Sequence, residues 1–176
     1  MTTHAGAPTP RPEDAGATGS AQGPRCSAST LSAEPSAARP SLPPVVESMR
    51  RRIVTAAVAC DYETLATLAR ENGADFNIGF GPETDVAATW RKQEQQGVPL
   101  LAMLVKVINL PNAKEETFYL WPSAYRTGET PEDWKALEGL YPAEQLSRWR
   151  TSENGYVGFR TAIDESGDWL FALSGD

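Results

Sequence analysis

The chain has almost no histidine. One residue of 176 is histidine, His4, so no imidazole lies anywhere beyond the first few positions. That excludes a Ser–His–Asp triad or a Cys–His pair from the body of the chain. Zinc and iron sites built on imidazole go the same way, and two lone cysteines make no zinc box. Clustered basic residues are scarce too. The 16 Lys and Arg face 23 Asp and Glu, a net charge of −7, whereas a nucleic-acid surface needs grouped cations. The one basic run, Arg50-Arg51-Arg52, reads as a solvated helix face. Long apolar runs are missing: none reaches the roughly 20 residues of a membrane span, and no hydrophobic leader follows Met1. No phosphate-cradling loop is present, because Gly79-Phe80-Gly81 runs into Pro82 and lacks a third glycine. No metal or cofactor is expected.

What is present divides the chain in two. Residues 1–43 hold Pro8, Pro10, Pro12, Pro24, Pro35, Pro40 and Pro43 among Ala, Gly, Ser and Thr, with almost no apolar residue larger than alanine. Such a stretch cannot bury enough apolar surface to offset its ordering entropy, so a disordered tail is predicted. The tail's formal charge is zero, and residues 44–176 carry the whole −7. They are long enough for one domain with a modest core.

Periodicity sets out that domain. Val45, Met49, Ile53 and Ala56 predict a helix over 44–58. Asp61 caps a second, with Leu65, Leu68 and Ala69 on one face and Gly73 as its stop. Residues 75–80 alternate with period two and read as a strand. A third helix spans 84–96, with Val86 and Trp90 inward and Arg91, Lys92 and Glu94 outward. Pro99 opens a central helix carrying Leu101, Leu104, Val105 and Ile108. Residues 117–121 form a strand, Thr130-Pro131-Glu132-Asp133 starts a helix, and Pro142 restarts a short one. Residues 155–176 read as two strands around the turn Asp164–Asp168. Helices precede most strands without βαβ alternation. This predicts an α+β fold, with a small antiparallel sheet of about four strands and helices packed on one side.

The candidates for chemistry are few. Glu83 and Asp85 can reach one pocket as a carboxylate pair for glycan hydrolysis, or simply cap the helix that follows. Asp164, Ser166 and Asp168 echo a calcium loop but close too tightly, and read as a turn. Aromatic residues are more promising. Tyr119 and Trp121 share one face of their strand, opposite Phe118 and Leu120. If the Tyr/Trp pair faces a groove it can stack on a sugar or an apolar ligand, with Arg126 adding a polar contact.

The segments Cys26–Ala33, Ala59-Cys60-Asp61-Tyr62, Leu120-Trp121-Pro122, Gly155–Arg160 and Trp169–Asp176 together resemble a group of uncharacterised domains from actinomycete-type bacteria, often exported or lipoprotein-like. The resemblance spans roughly residues 26–176 and implies architecture and an extracytoplasmic location, not an activity. It also implies a Cys26–Cys60 disulfide, which an oxidising compartment permits and a reducing cytosol forbids. Gly-Pro-Arg before Cys26 is not a lipid-attachment sequence.

Three functional readings follow. The first is a non-catalytic binding or protein-interaction domain at the cell envelope. It would be monomeric, with an unknown protein or a small glycan or apolar ligand as partner. The second is a carboxylate-dependent glycan hydrolase. The third is a cytoplasmic accessory protein whose tail recruits a partner.

Overall fold

Pro43 and Pro44 open α1 (Pro44–Val58) where the sequence predicts it, the ring of Pro44 costing no hydrogen bond at the first helical position. A computed structural model of the protein describes residues 25–73, 75–79 and 84–175. The expectations placed on residues 1–24, on Phe80-Gly81-Pro82 and on Glu83 lie outside the described residues. Asp61 caps α2 (Tyr62–Ala69) by accepting from the Thr64 N–H at 2.9 Å. Asp85 does the same for α3 (Val86–Gln95) through the Ala88 N–H at 3.0 Å. α4 (Leu100–Ile108) buries Leu101, Leu104, Val105 and Ile108, as expected of a central helix. The capping pair Thr130 and Asp133 starts α5 (Pro131–Lys135), and Pro142 precedes α6 (Ala143–Thr151).

The strands β1 (Ala113–Glu115), β2 (Phe118–Trp121), β3 (Arg160–Asp164) and β4 (Trp169–Leu173) form an antiparallel sheet in the order β1-β2-β3-β4. The fold is α+β. β1 was not foreseen, because Ala113-Lys114-Glu115 carries no strand pattern and is held only by pairing with β2. The segment expected as a strand at 75–80 contributes one parallel bridge, Asn77 to Phe171, at the edge of β4. The turn between β3 and β4 is closed by Asp164, whose carboxylate accepts from the Ser166 and Asp168 N–H groups at 2.9 Å each. Gly167 follows at φ +90°, and a side chain there would meet Val45 Cγ2 at 2.7 Å.

Helices α1, α2 and α4 pack on one face of the sheet. Trp121, Ile163, Trp169 and Ala172 meet Met49, Ile53, Leu65, Trp90 and Leu104 there in the main core. Phe76 closes its rim, with ring centroids 4.7 Å from Trp169 and 6.0 Å from Trp90. A second core under α5 and α6 gathers Trp134, Leu137, Leu146 and Tyr156. The opposite sheet face holds Ala113, Leu120 and Ala162, flanked by the half-buried Phe118, Leu170 and Phe171.

Two expectations are corrected. The tail boundary at residue 43 is too late. Residues 25–43 are described and in part packed: Ala28 is fully buried, and Cys26, Leu31 and Leu42 lie against the main core. Few apolar side chains suffice because a covalent bridge and polar contacts supply the rest. Arg50 is not on a solvated face either. It is fully buried, donating to the Ile108 carbonyl at 2.9 Å, the Ser36 carbonyl at 2.8 Å and Asn109 Oδ1 at 2.9 Å, and paired with Glu47 at 3.1 Å. One guanidinium thus ties residue 36 to α1 and to the end of α4.

Candidate functional site

The aromatic pair singled out from the sequence points the wrong way for a ligand. β2 turns Tyr119 and Trp121 toward the helices and Phe118 and Leu120 toward the other face. Trp121 is fully buried and Tyr119 half-buried against the same core. The helical layer therefore needs the larger rings that the sequence offered to a groove. Arg126 does not join them in a pocket. Its Nη2 pairs with Asp133 at 3.1 Å at the head of α5. Burial by itself would raise the Asp133 carboxyl. Hydrogen bonds from the Thr130 N–H and hydroxyl at 2.7 and 3.0 Å, with the charge of Arg126, outweigh it and hold that carboxyl below its ordinary value.

The other carboxylate candidates act locally. Asp85 caps α3. Asp61 caps α2, and the Thr64 hydroxyl and N–H hold its carboxyl below the usual range.

A different concavity emerges where residues 25–27 meet the start of α2 and the end of α3. The Cys26 and Cys60 sulfurs are 2.10 Å apart and their Cα atoms 5.7 Å, so the two residues form a disulfide. Cys60 sits at φ +56°, a left-handed turn between α1 and α2 that directs the chain back toward residue 26. The bridge lays residues 25–27 against the C-terminal end of α3 and the start of α2. Between them is a groove of about 560 Å³, lined by Arg25, Cys26, Tyr62, Arg91, Glu94 and Val98 among others.

Glu94 is the keystone of its floor. Its carboxylate accepts from the Ser27 N–H at 2.8 Å, the Ser27 hydroxyl at 2.5 Å and the Leu101 N–H at 2.7 Å. The Ser27 oxygen in turn accepts from the Ala102 N–H at 2.9 Å. These contacts draw inward a glutamate that helical spacing placed outward. The walls carry polar groups that reach solvent. The Arg91 guanidinium lies 5.0 Å from the Tyr62 ring centroid and pairs with Glu63 at 3.1 Å while staying half exposed. Arg25 is exposed and has no ion-pair partner among the described residues. Burial pushes the Tyr62 hydroxyl up, and the charge of Glu94 adds to this while Arg91 opposes it. Tyr62 therefore stays neutral at physiological pH and offers the groove a hydroxyl beside an aromatic edge.

Searches for similar proteins find no matching family model, no matching curated protein and no matching solved structure. The groove's chemistry has to speak for itself. It sets two guanidinium groups and a phenol around a groove of mixed polar and apolar lining with Glu94 in its floor, in a chain whose net charge is −7. Sequence reasoning missed it because its walls come from residues near 25, 62 and 91–98, which the bridge, the Ser27–Glu94 bonds and the packing of α2 on α3 bring together. The signal available was Ala59-Cys60-Asp61-Tyr62, which places a cysteine two residues before the groove's tyrosine.

Proposed function

We propose that this is a non-catalytic binding domain of the bacterial cell envelope, and that the groove beside the Cys26–Cys60 bridge is its ligand surface. One observation carries the reading: the disulfide makes the 25–27 segment a wall of the groove, so the surface depends on an oxidising compartment. Arg25 and Arg91 favour negative charge, and the Tyr62 hydroxyl at the edge of a buried ring favours the hydroxyl groups of a sugar. The ligand class that combines the two is an acidic saccharide. No transmembrane segment is needed for such a role, and no described helix is long and apolar enough to cross a membrane.

Calorimetric titration with uronic-acid oligosaccharides tests the reading. Binding should weaken about tenfold on Arg91→Gln and by less on Tyr62→Phe, which keeps the buried ring and removes the hydroxyl. Equal binding by all three proteins, or none to any acidic saccharide, contradicts it.

A further inference from the structure

Arg160 opens β3 on the sheet face turned away from the helices, next to Leu173 of β4. The residue is only 6% exposed, yet no carboxylate pairs with it among the described residues. Its one side-chain hydrogen bond among the described residues runs from Nη1 to the Gly158 carbonyl at 3.3 Å. Above it lies the Tyr125 ring, with Cζ 4.7 Å from the centroid, and that tyrosine is 39% exposed.

A guanidinium withdrawn this far from water is costly without a countercharge. Among the described residues the neighbours do not supply one. Burial first, and then Tyr141, push the Tyr156 hydroxyl far up, so that phenol is neutral, and its own proton goes to the Phe159 carbonyl at 2.7 Å. The carboxylates of the same face, Glu115 and Asp164, stand at its other end, where both pair with Phe118 of β2. Each is occupied there: Glu115 accepts from the Thr127 N–H at 3.2 Å, and Asp164 closes the hairpin turn.

The free part of Arg160 has a definite shape. With Nη1 turned to Gly158, the edge bearing Nε and Nη2 is left without a partner. Those two N–H groups point in parallel, at the spacing of the two oxygens of a carboxylate. The guanidinium carbon lies over the Tyr125 ring, 4.7 Å from its centroid, so the ring meets the guanidinium without occupying either N–H.

We infer that Arg160 and Tyr125 form a carboxylate-binding site, in which a ligand carboxylate bonds side-on to Nε and Nη2 beneath the exposed tyrosine ring. This site lies on the opposite side of the sheet from the groove of the helical layer and does not depend on it. A small carboxylic acid or a carboxylate presented by a peptide meets the same fork, and the shared chemistry is the planar carboxylate.

The test uses the full chain with acetate, benzoate and a short peptide with a free C-terminus. Chloride and inorganic phosphate at matched ionic strength are the controls. The Arg160 Nε–H signal is followed by NMR, and thermal midpoint is measured in parallel. Carboxylates should shift that signal saturably and raise the midpoint, while chloride should do neither. Arg160→Lys keeps the charge but loses the fork, and should weaken binding about tenfold or more. Tyr125→Ala should also weaken it while leaving the fold intact, since Tyr125 is an exposed residue. Whether benzoate or the peptide binds more tightly identifies the source of the carboxylate. Equal responses to chloride or phosphate, or unchanged affinity in Arg160→Lys, would overturn the assignment.

Discussion

Ser27 and Glu94 are 67 positions apart in sequence and joined by two hydrogen bonds, at 2.8 and 2.5 Å. Together they cap α4 from outside. Pro99 at its head provides no side-chain cap, and the Leu101 and Ala102 N–H groups donate instead to Glu94 and Ser27. A glutamate is unfavourable at the end of α3 but well placed at the positive end of α4. Ser27, in the stretch whose composition predicts a disordered tail, is therefore part of the central helix's start.

That relationship gives the first prediction. Glu94→Ala leaves the Leu101 and Ser27 N–H groups without acceptors and should cost about 1–3 kcal/mol. Ser27→Ala should cost about 1 kcal/mol, the scale of a lost cap. Because the two residues share bonds, the double variant should cost less than the sum. Denaturant unfolding of the four proteins checks this, and strict additivity would mean that the two act separately.

Reducing the bridge should loosen the same segment. Cys26 and Cys60 are 34 positions apart, and closing a loop of that length stabilises by about 3–4 kcal/mol on the chain-entropy model. Cys26→Ser with Cys60→Ser should lower stability by about that amount, again on the chain-entropy scale. Hydrogen exchange should then rise first at Ser27, Leu101 and Ala102, whose N–H bonds belong to the clamp. Unchanged exchange at those three amides would show that the polar contacts hold the segment unaided.

The head of α5 predicts a pH dependence. The Asp133 carboxyl titrates lower in the folded chain than its ordinary value. Between the two values the unfolded state binds more protons, so stability is fully present above the unfolded value of about 3.9 and is lost as pH falls through the folded one. Asp133→Asn should lower stability at neutral pH and flatten its fall below about pH 4. Thermal midpoints from pH 2 to 7 check the sign; a parallel curve for the variant would mean that another carboxyl dominates.

Trp121→Ala should cost about 3–5 kcal/mol, as a fully buried ring of the main core. Tyr119→Ala should cost less, since Tyr119 is half-buried. Unfolding midpoints of both variants compare the two positions, and a small loss at Trp121 would return it to the candidates for a ligand surface.

How far the fold could be read in advance differs from element to element. Helices α1, α2 and α4 were legible because propensity, caps and apolar spacing agree at Pro44, Asp61 and Leu101 through Ile108. The closing hairpin was legible for the same reason. β1 was not, since Ala113-Lys114-Glu115 becomes a strand only by pairing with β2. Alternation in β2 showed that one aromatic pair must face the core but not which, because both faces of the sheet are apolar. Arg50 stood hidden in a run of three arginines. Its burial depends on the Ser36 and Ile108 carbonyls, contacts that no local pattern encodes. The groove was invisible for a related reason: its walls meet through long-range contacts, the bond between residues 26 and 60 and the Ser27–Glu94 pair among them.

The most direct test of the account is a chemical-shift map of the oxidised and reduced protein titrated with a uronic-acid oligosaccharide. The account predicts saturable shifts at Arg25, Tyr62, Arg91 and Val98 in the oxidised chain, and their loss when the Cys26–Cys60 bond is reduced. Shifts centred elsewhere, or identical affinity in the two redox states, would contradict the claim that the disulfide builds the binding surface.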